Sequence, residues 1–165
     1  MTEVTAADLD AAIETVLGRI DGIKELYPAQ HDLLSCLMRN ENIFYTNSTN
    51  SGKTLPIIIF PDILKCLNSS GYNFPKNPKV LFVTALNSLK ESLVNNAKTL
   101  GLQAEAVTSE NLESLIKSDI SVLFISPEVL KLPAVTRTLI QNRANFVLKC
   151  VDEAHLGIHS FFYKK

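Results

Sequence analysis

The sequence predicts an α/β fold: a parallel β-sheet with helices on both faces. Three observations predict it. Short apolar runs alternate with stretches of helical periodicity along most of the 165 residues, as strand–helix–strand units do. Gly52-Lys53-Thr54 stands where one apolar run gives way to a helical stretch. Asp152-Glu153-Ala154-His155 follows another, mostly apolar run at 147–151, and acids at the carboxyl end of a parallel strand lie where such sheets bind ligands.

The elements follow in order. Residues 6–20 carry Leu9, Ile13, Val16, Leu17 and Ile20 at helical spacing. A second helix starts after Tyr27-Pro28 and uses Leu33, Leu34, Cys36 and Leu37. Residues 42–45 read as a strand, followed by a loop and a helix from Gly52 to about Leu67. Residues 68–78 are polar, with Gly71 and two prolines, and form a surface loop. Residues 80–83 are a buried strand and 88–100 a helix closed by Gly101. A short strand at 104–107 and a helical turn or two at 111–117 come next. Strands at 122–125 and 146–151 flank one helix, 127–141.

Bulk properties bound the function. The length fits one domain of roughly 100–200 residues. A hydrophobic share of 46% with 20% charged residues is ordinary for a soluble globular chain. The formal net charge of -1 excludes a global basic field. Any nucleic-acid contact is then local, made by backbone amides, hydroxyls and a few lysines. Cys36, Cys66 and Cys150 are far apart, with no metal-ligand spacing, and read as free thiols in a reducing compartment. The acidic start lacks a signal pattern. The longest apolar run, 55–64, is interrupted by Asp62 and too short to span a bilayer. The expectation is a soluble intracellular protein without a membrane partner, nuclear if eukaryotic. His31 and His159 have no partners at metal-ligand spacing.

The segment Asn47-Ser-Thr-Asn-Ser-Gly52-Lys53-Thr54 has the context of a phosphate-binding loop, after a predicted strand and opening a helix. Its backbone amides and the helix N-terminus would surround phosphate oxygens. Lys53 would sit by the β- and γ-phosphates, and the Thr54 hydroxyl would ligate Mg²⁺. The strict pattern G-x-x-x-x-G-K-[ST] fails at Asn47. At the second motif Asp152 would hold Mg²⁺ and Glu153 would polarise the attacking water. Alone, the first motif is also an ordinary turn and helix start, and the second a solvated acidic pair. Together, in this order and on these elements, they favour a site for ATP and Mg²⁺.

With those motifs placed, the chain from about Leu26 onward resembles superfamily-two helicases, most closely the RecQ family. The resemblance implies the first RecA-like P-loop domain of such an enzyme over 26–165, after an N-terminal helical segment, 1–25. Tyr27-Pro-Ala-Gln30-His-Asp-Leu-Leu resembles the family's adenine-reading motif, which gives Gln30 the adenine edge. Thr46-Asn-Ser-Thr49-Asn50-Ser51-Gly52-Lys53-Thr54 is similar to its P-loop, with Asn50 in place of a glycine. Asn is among the few residues that tolerate the positive φ such a glycine serves. Residues 82–89 are similar to the motif that meets the nucleic-acid backbone, which makes Thr84 and Ser88 candidate contacts. Thr108, Ser109 and Ser126 continue the match. Hydroxyls at such positions also serve as helix caps, and Ser126-Pro127-Glu128 is a good helix start.

The implied parent activity is ATP-dependent DNA unwinding, 3′-to-5′, on a single strand or duplex junction. It requires a second RecA-like domain, expected to be missing after the Asp-Glu-Ala-His box. Ile23 and Tyr27 stand where the family has a stacking aromatic and an arginine, and residues 156–165 depart from its aromatic-rich segment. Two other readings stand beside the helicase half: a truncated or degenerate binding module that keeps the fold, and a P-loop ATPase of another kind.

Overall fold

Apolar residues at three- and four-residue spacing wind the first segment into α1 (Ala6–Leu17), which buries Leu9, Ala12, Ile13, Val16 and Leu17. Thr5 caps it, its hydroxyl accepting from Asp8 N–H at 3.1 Å. The computed structural model describes residues 3–45, 52–84 and 87–152, the side chains of Asn87 and Ser88 excepted. The chain divides into two compact units, Met1–Pro78 and Lys79–Lys165.

In the first unit α1 and α2 (Pro28–Met38) both pack on α3 (Thr54–Ser69). α3 buries Ile58, Ile59, Phe60, Ile63, Leu64 and Leu67, too broad an arc for one amphipathic stripe. It is the hub of this unit. The loop after α3 is fastened to α1, where the Tyr72 hydroxyl donates to Asp8 Oδ2 at 2.7 Å. On α2, His31 Nε2 lies 2.7 Å from Asp10 Oδ1.

The expected strand at 42–45 is not formed; these residues carry no ladder pairing among the described residues. Phe44 is 85% exposed. A strand exists only through its neighbours, and four residues of suitable propensity do not supply one.

The second unit is a four-stranded parallel sheet in the order β2-β3-β1-β4. Its strands are β1 (Lys79–Val83), β2 (Ala104–Ala106), β3 (Val122–Ile125) and β4 (Phe146–Val151). Every residue of β1 and β3 is buried, as expected for central parallel strands covered on both faces. Leu81, Val83, Leu123 and Ile125 point to one face and join Leu112, Leu115, Ile116 and Val135. The first three of these lie on α5 (Leu112–Lys117) and the last on α7 (Pro133–Gln141). The alternate residues Phe82 and Phe124 meet on the other face, ring centroids 5.2 Å apart. α4 (Asn87–Thr99) packs on β2 and β3.

The helix expected over 127–141 is broken. α6 (Pro127–Leu130) ends before Leu132, which is extended (ψ 126°) ahead of Pro133, and α7 begins at that proline. A residue before proline is driven out of the helical region, and proline suits a first helical position.

Lys79 is fully buried, a rare setting for a lysine. Its ammonium donates to the carbonyls of Ser118 at 2.9 Å and Ile120 at 2.6 Å. It ties the start of β1 to the turn between α5 and β3. The three cysteines are free and half-buried. Among the described residues no helix is long and apolar enough to cross a membrane.

Two measurements test these contacts. Lys79→Met leaves two part-buried carbonyls without their donor and should lower stability by about 2 kcal/mol, read from urea unfolding. An unchanged midpoint would refute the tie. The Thr5 hydroxyl first, and then that of Tyr72, hold the Asp8 carboxyl below its ordinary 3.8. A depressed carboxyl stabilises the fold above that pH, and the benefit is lost as pH falls through the folded value. Tyr72→Phe should therefore lower the thermal midpoint at neutral pH, with the difference shrinking in acid. A difference that grows in acid would overturn the assignment.

Candidate functional site

The turn that opens α3 is built around one glycine. Gly52 has φ +69°, the left-handed region, and precedes Lys53 and Thr54 at the helix start. Its carbonyl accepts from Leu55 N–H at 3.1 Å and from Gln30 Nε2 at 2.9 Å. The other end of the same carboxamide, Oε1, accepts from Tyr27 N–H at 2.9 Å and ties down the start of α2. A Cβ on Gly52 would stand 2.6 Å from Gln30 Nε2, so no other residue fits while that bond is made. Gln30 is buried, 3% exposed, and Tyr27 is 69% exposed. Lys53 and Thr54 are half-buried, at a helix N-terminus, the end that favours anions. Thr49, Asn50 and Ser51 lie outside the described residues.

The second set of sequence candidates gathers at the carboxyl edge of the sheet. Val83 is in register with Ile125 and Val151, so Thr84, Ser126 and Asp152 follow at one level. Thr84 N–H donates to Ile125 O at 3.0 Å and Asp152 N–H to Val83 O at 2.9 Å. Ala106 is in register with Phe124, which sets Thr108 beside Ser126. From β1 the chain crosses to β2 at one end of the sheet, and from β3 it crosses past β1 to β4. Right-handed crossovers in opposite directions lie on opposite faces, so the connections after β1 and β3 leave this edge on opposite sides of the sheet. Thr84 and Ser126 follow those two strand ends, both buried.

These hydroxyls differ in what they have left to offer. Thr108 Oγ1 accepts from Glu110 and Asn111 N–H, so it caps the turn into α5. Ser126 is buried, 2% exposed, and its hydroxyl meets the Glu128 carboxylate. The backbone N–H of Glu128 comes first among the causes that lower this carboxyl, then Ser126, with the charges of Lys131 and Lys90 contributing less. The Thr84 hydroxyl is buried without a hydrogen-bond partner among the described residues. Native folds seldom leave such a group. Ser109 is exposed, and Glu153 and the Ser88 side chain lie outside the described residues.

Burial, and then the Asp152 charge, push the Cys150 thiol up to about 12, which keeps it protonated and unreactive at neutral pH. Among the described residues no three His, Cys, Asp or Glu side chains converge as a metal site would require. Of the candidate ligands to a metal, Thr54 belongs to the first unit and Asp152 to the second.

The sequence singled out Gln30, Gly52, Thr84 and Ser126 without their bonds. It missed Lys79 as a buried cation and Glu128 as a partner of Ser126. A lysine opening an apolar strand was the available signal for the first. No protein-family model matches the chain, and no curated protein matches it.

The buried hydroxyl gives a direct test. Thr84→Val keeps the shape and removes the unsatisfied group, so stability should rise by about 1 kcal/mol. Chemical unfolding of the two proteins measures it, and a loss of stability would show that the hydroxyl already has a partner.

Proposed function

We propose that this chain is the nucleotide-gripping half of a RecQ-like, superfamily-two helicase, binding ATP–Mg²⁺ on its first unit and nucleic-acid backbone at the sheet edge. One observation carries the reading: the left-handed Gly52 opens the 16-residue helix α3 directly at Lys53 and Thr54. A glycine turn delivering a lysine and a hydroxyl to a helix N-terminus suits a chain of phosphates. In this reading the amides of Lys53 and Thr54 face phosphate oxygens, the Lys53 ammonium neutralises them and the Thr54 hydroxyl meets Mg²⁺. Asp152, at the carboxyl end of a parallel strand, suits the magnesium role, and Glu153 the activation of water. In this reading Thr84 and Ser126, which follow the carboxyl ends of β1 and β3, are the candidate contacts to the nucleic-acid backbone. Hydrolysis at helicase rates would need arginines from a second RecA-like domain, a contribution on the order of 10³–10⁵ in rate.

A second reading, a binding module that keeps the fold without catalysis, is favoured by the segment at 42–45, which forms no strand among the described residues. A phosphate loop normally leaves a sheet strand, and here none leads toward it among the described residues.

Calorimetric titration of ATP–Mg²⁺ into the native chain and Lys53→Ala separates the two. The nucleotide reading expects saturable binding by the native chain, weakened at least about tenfold by the substitution, as for loss of one charged contact. Equal, negligible binding by both would leave the binding module standing.

A further inference from the structure

We infer that Gln30 is a strut that sets the phosphate-binding turn, and that the site therefore grips the triphosphate without selecting the base. The inference rests on the nucleotide reading above and names the ligand class more narrowly: nucleoside triphosphates in general.

A carboxamide has two N–H donors on its nitrogen and two acceptor positions on its oxygen. Reading adenine requires one of each, presented together to the base edge. In Gln30 one position at each end is taken by the fold, the oxygen accepting from Tyr27 N–H and the nitrogen donating to the Gly52 carbonyl, each at 2.9 Å, and burial covers the remaining pair. The side chain is only 3% exposed, so little of the amide faces an incoming base. Turning it outward would break both bonds and orphan the Tyr27 N–H at a helix start.

The fit at Gly52 gives the strut its function. Nε2 lies 2.6 Å from where a Cβ on Gly52 would stand, too close for both. The glutamine and the glycine are therefore one device, holding the residue before Lys53 at φ +69°. Through it Gln30 governs the direction of the Lys53 and Thr54 amides, and so acts on the phosphates as a positioning residue. The exposed Tyr27 ring does not restore base selection, because stacking on an aromatic face tolerates every base.

The test is titration of the full chain with the Mg²⁺ complexes of ATP, GTP and inorganic tripolyphosphate. For the native protein the ATP and GTP dissociation constants should agree within about threefold, a small fraction of what a hydrogen-bonding base pocket achieves. Gln30→Ala should weaken all three ligands by a common factor of about ten, that of one lost hydrogen bond. Gln30→Glu keeps the acceptor for Tyr27 N–H but not the donor to Gly52, and should behave alike.

A native preference for ATP over GTP above about tenfold overturns the strut and leaves the nucleotide reading intact. The strut also falls, and the nucleotide reading again stands, if Gln30→Ala loses ATP but keeps tripolyphosphate. Native protein that binds none of the three removes the nucleotide reading itself, and the strut with it. The native comparison needs no substitution, so a variant that fails to fold does not obscure the outcome.

Discussion

Parallel pairing of β1 with both β3 and β4 constrains the whole second unit. Parallel neighbours cannot be joined by a hairpin, so each connection must travel back over a face of the sheet. That covers β1 and β3 on both sides and makes all of their residues core, even Lys79, whose charge is met by carbonyls at the α5–β3 turn. The same pairing brings every strand's carboxyl end to one edge. The connection to β2 and the connection to β4 run in opposite directions and so leave that edge on opposite faces of the sheet.

The first unit rests on a different principle. Its core is a helix buried over much of its circumference, held by two others, and its candidate site is the start of that helix. A helix N-terminus leaves amides unsatisfied whatever its sequence. What distinguishes this one is the support behind it, where one buried glutamine links the start of α2 to the turn before α3. The site then depends on a contact between residues 22 positions apart.

Much of this was legible in the residues. The apolar runs at 80–83, 122–125 and 146–151 announce strands, because buried parallel strands need no polar face. Gly52 before Lys53-Thr54 announces a turn and a helix start. Residues 42–45 show where such reasoning stops. Asn-Ile-Phe-Tyr has strand propensity, but propensity describes a fit to neighbours, and these residues have no ladder partner among the described residues. Leu132-Pro133 shows a local signal overlooked within a longer helical pattern, since the residue before proline leaves the helical region. The helicase reading itself rests on motif order and resemblance.

By itself the sequence determined the local chemistry: which stretches are apolar, where glycine frees the backbone, and which hydroxyls and acids end each strand. These are properties of single residues and near neighbours, governed by sterics and by local hydrogen bonds. Tertiary structure alone decided which of those groups have anything left to offer. Thr108 caps its own turn, Ser126 meets Glu128, Gln30 holds Gly52, and the Thr84 hydroxyl is buried with no partner among the described residues. The Gln30 contact spans 22 positions, and the burial of Thr84 depends on strands remote in the chain. Remote contacts form only when the whole fold overcomes the entropy of bringing them together.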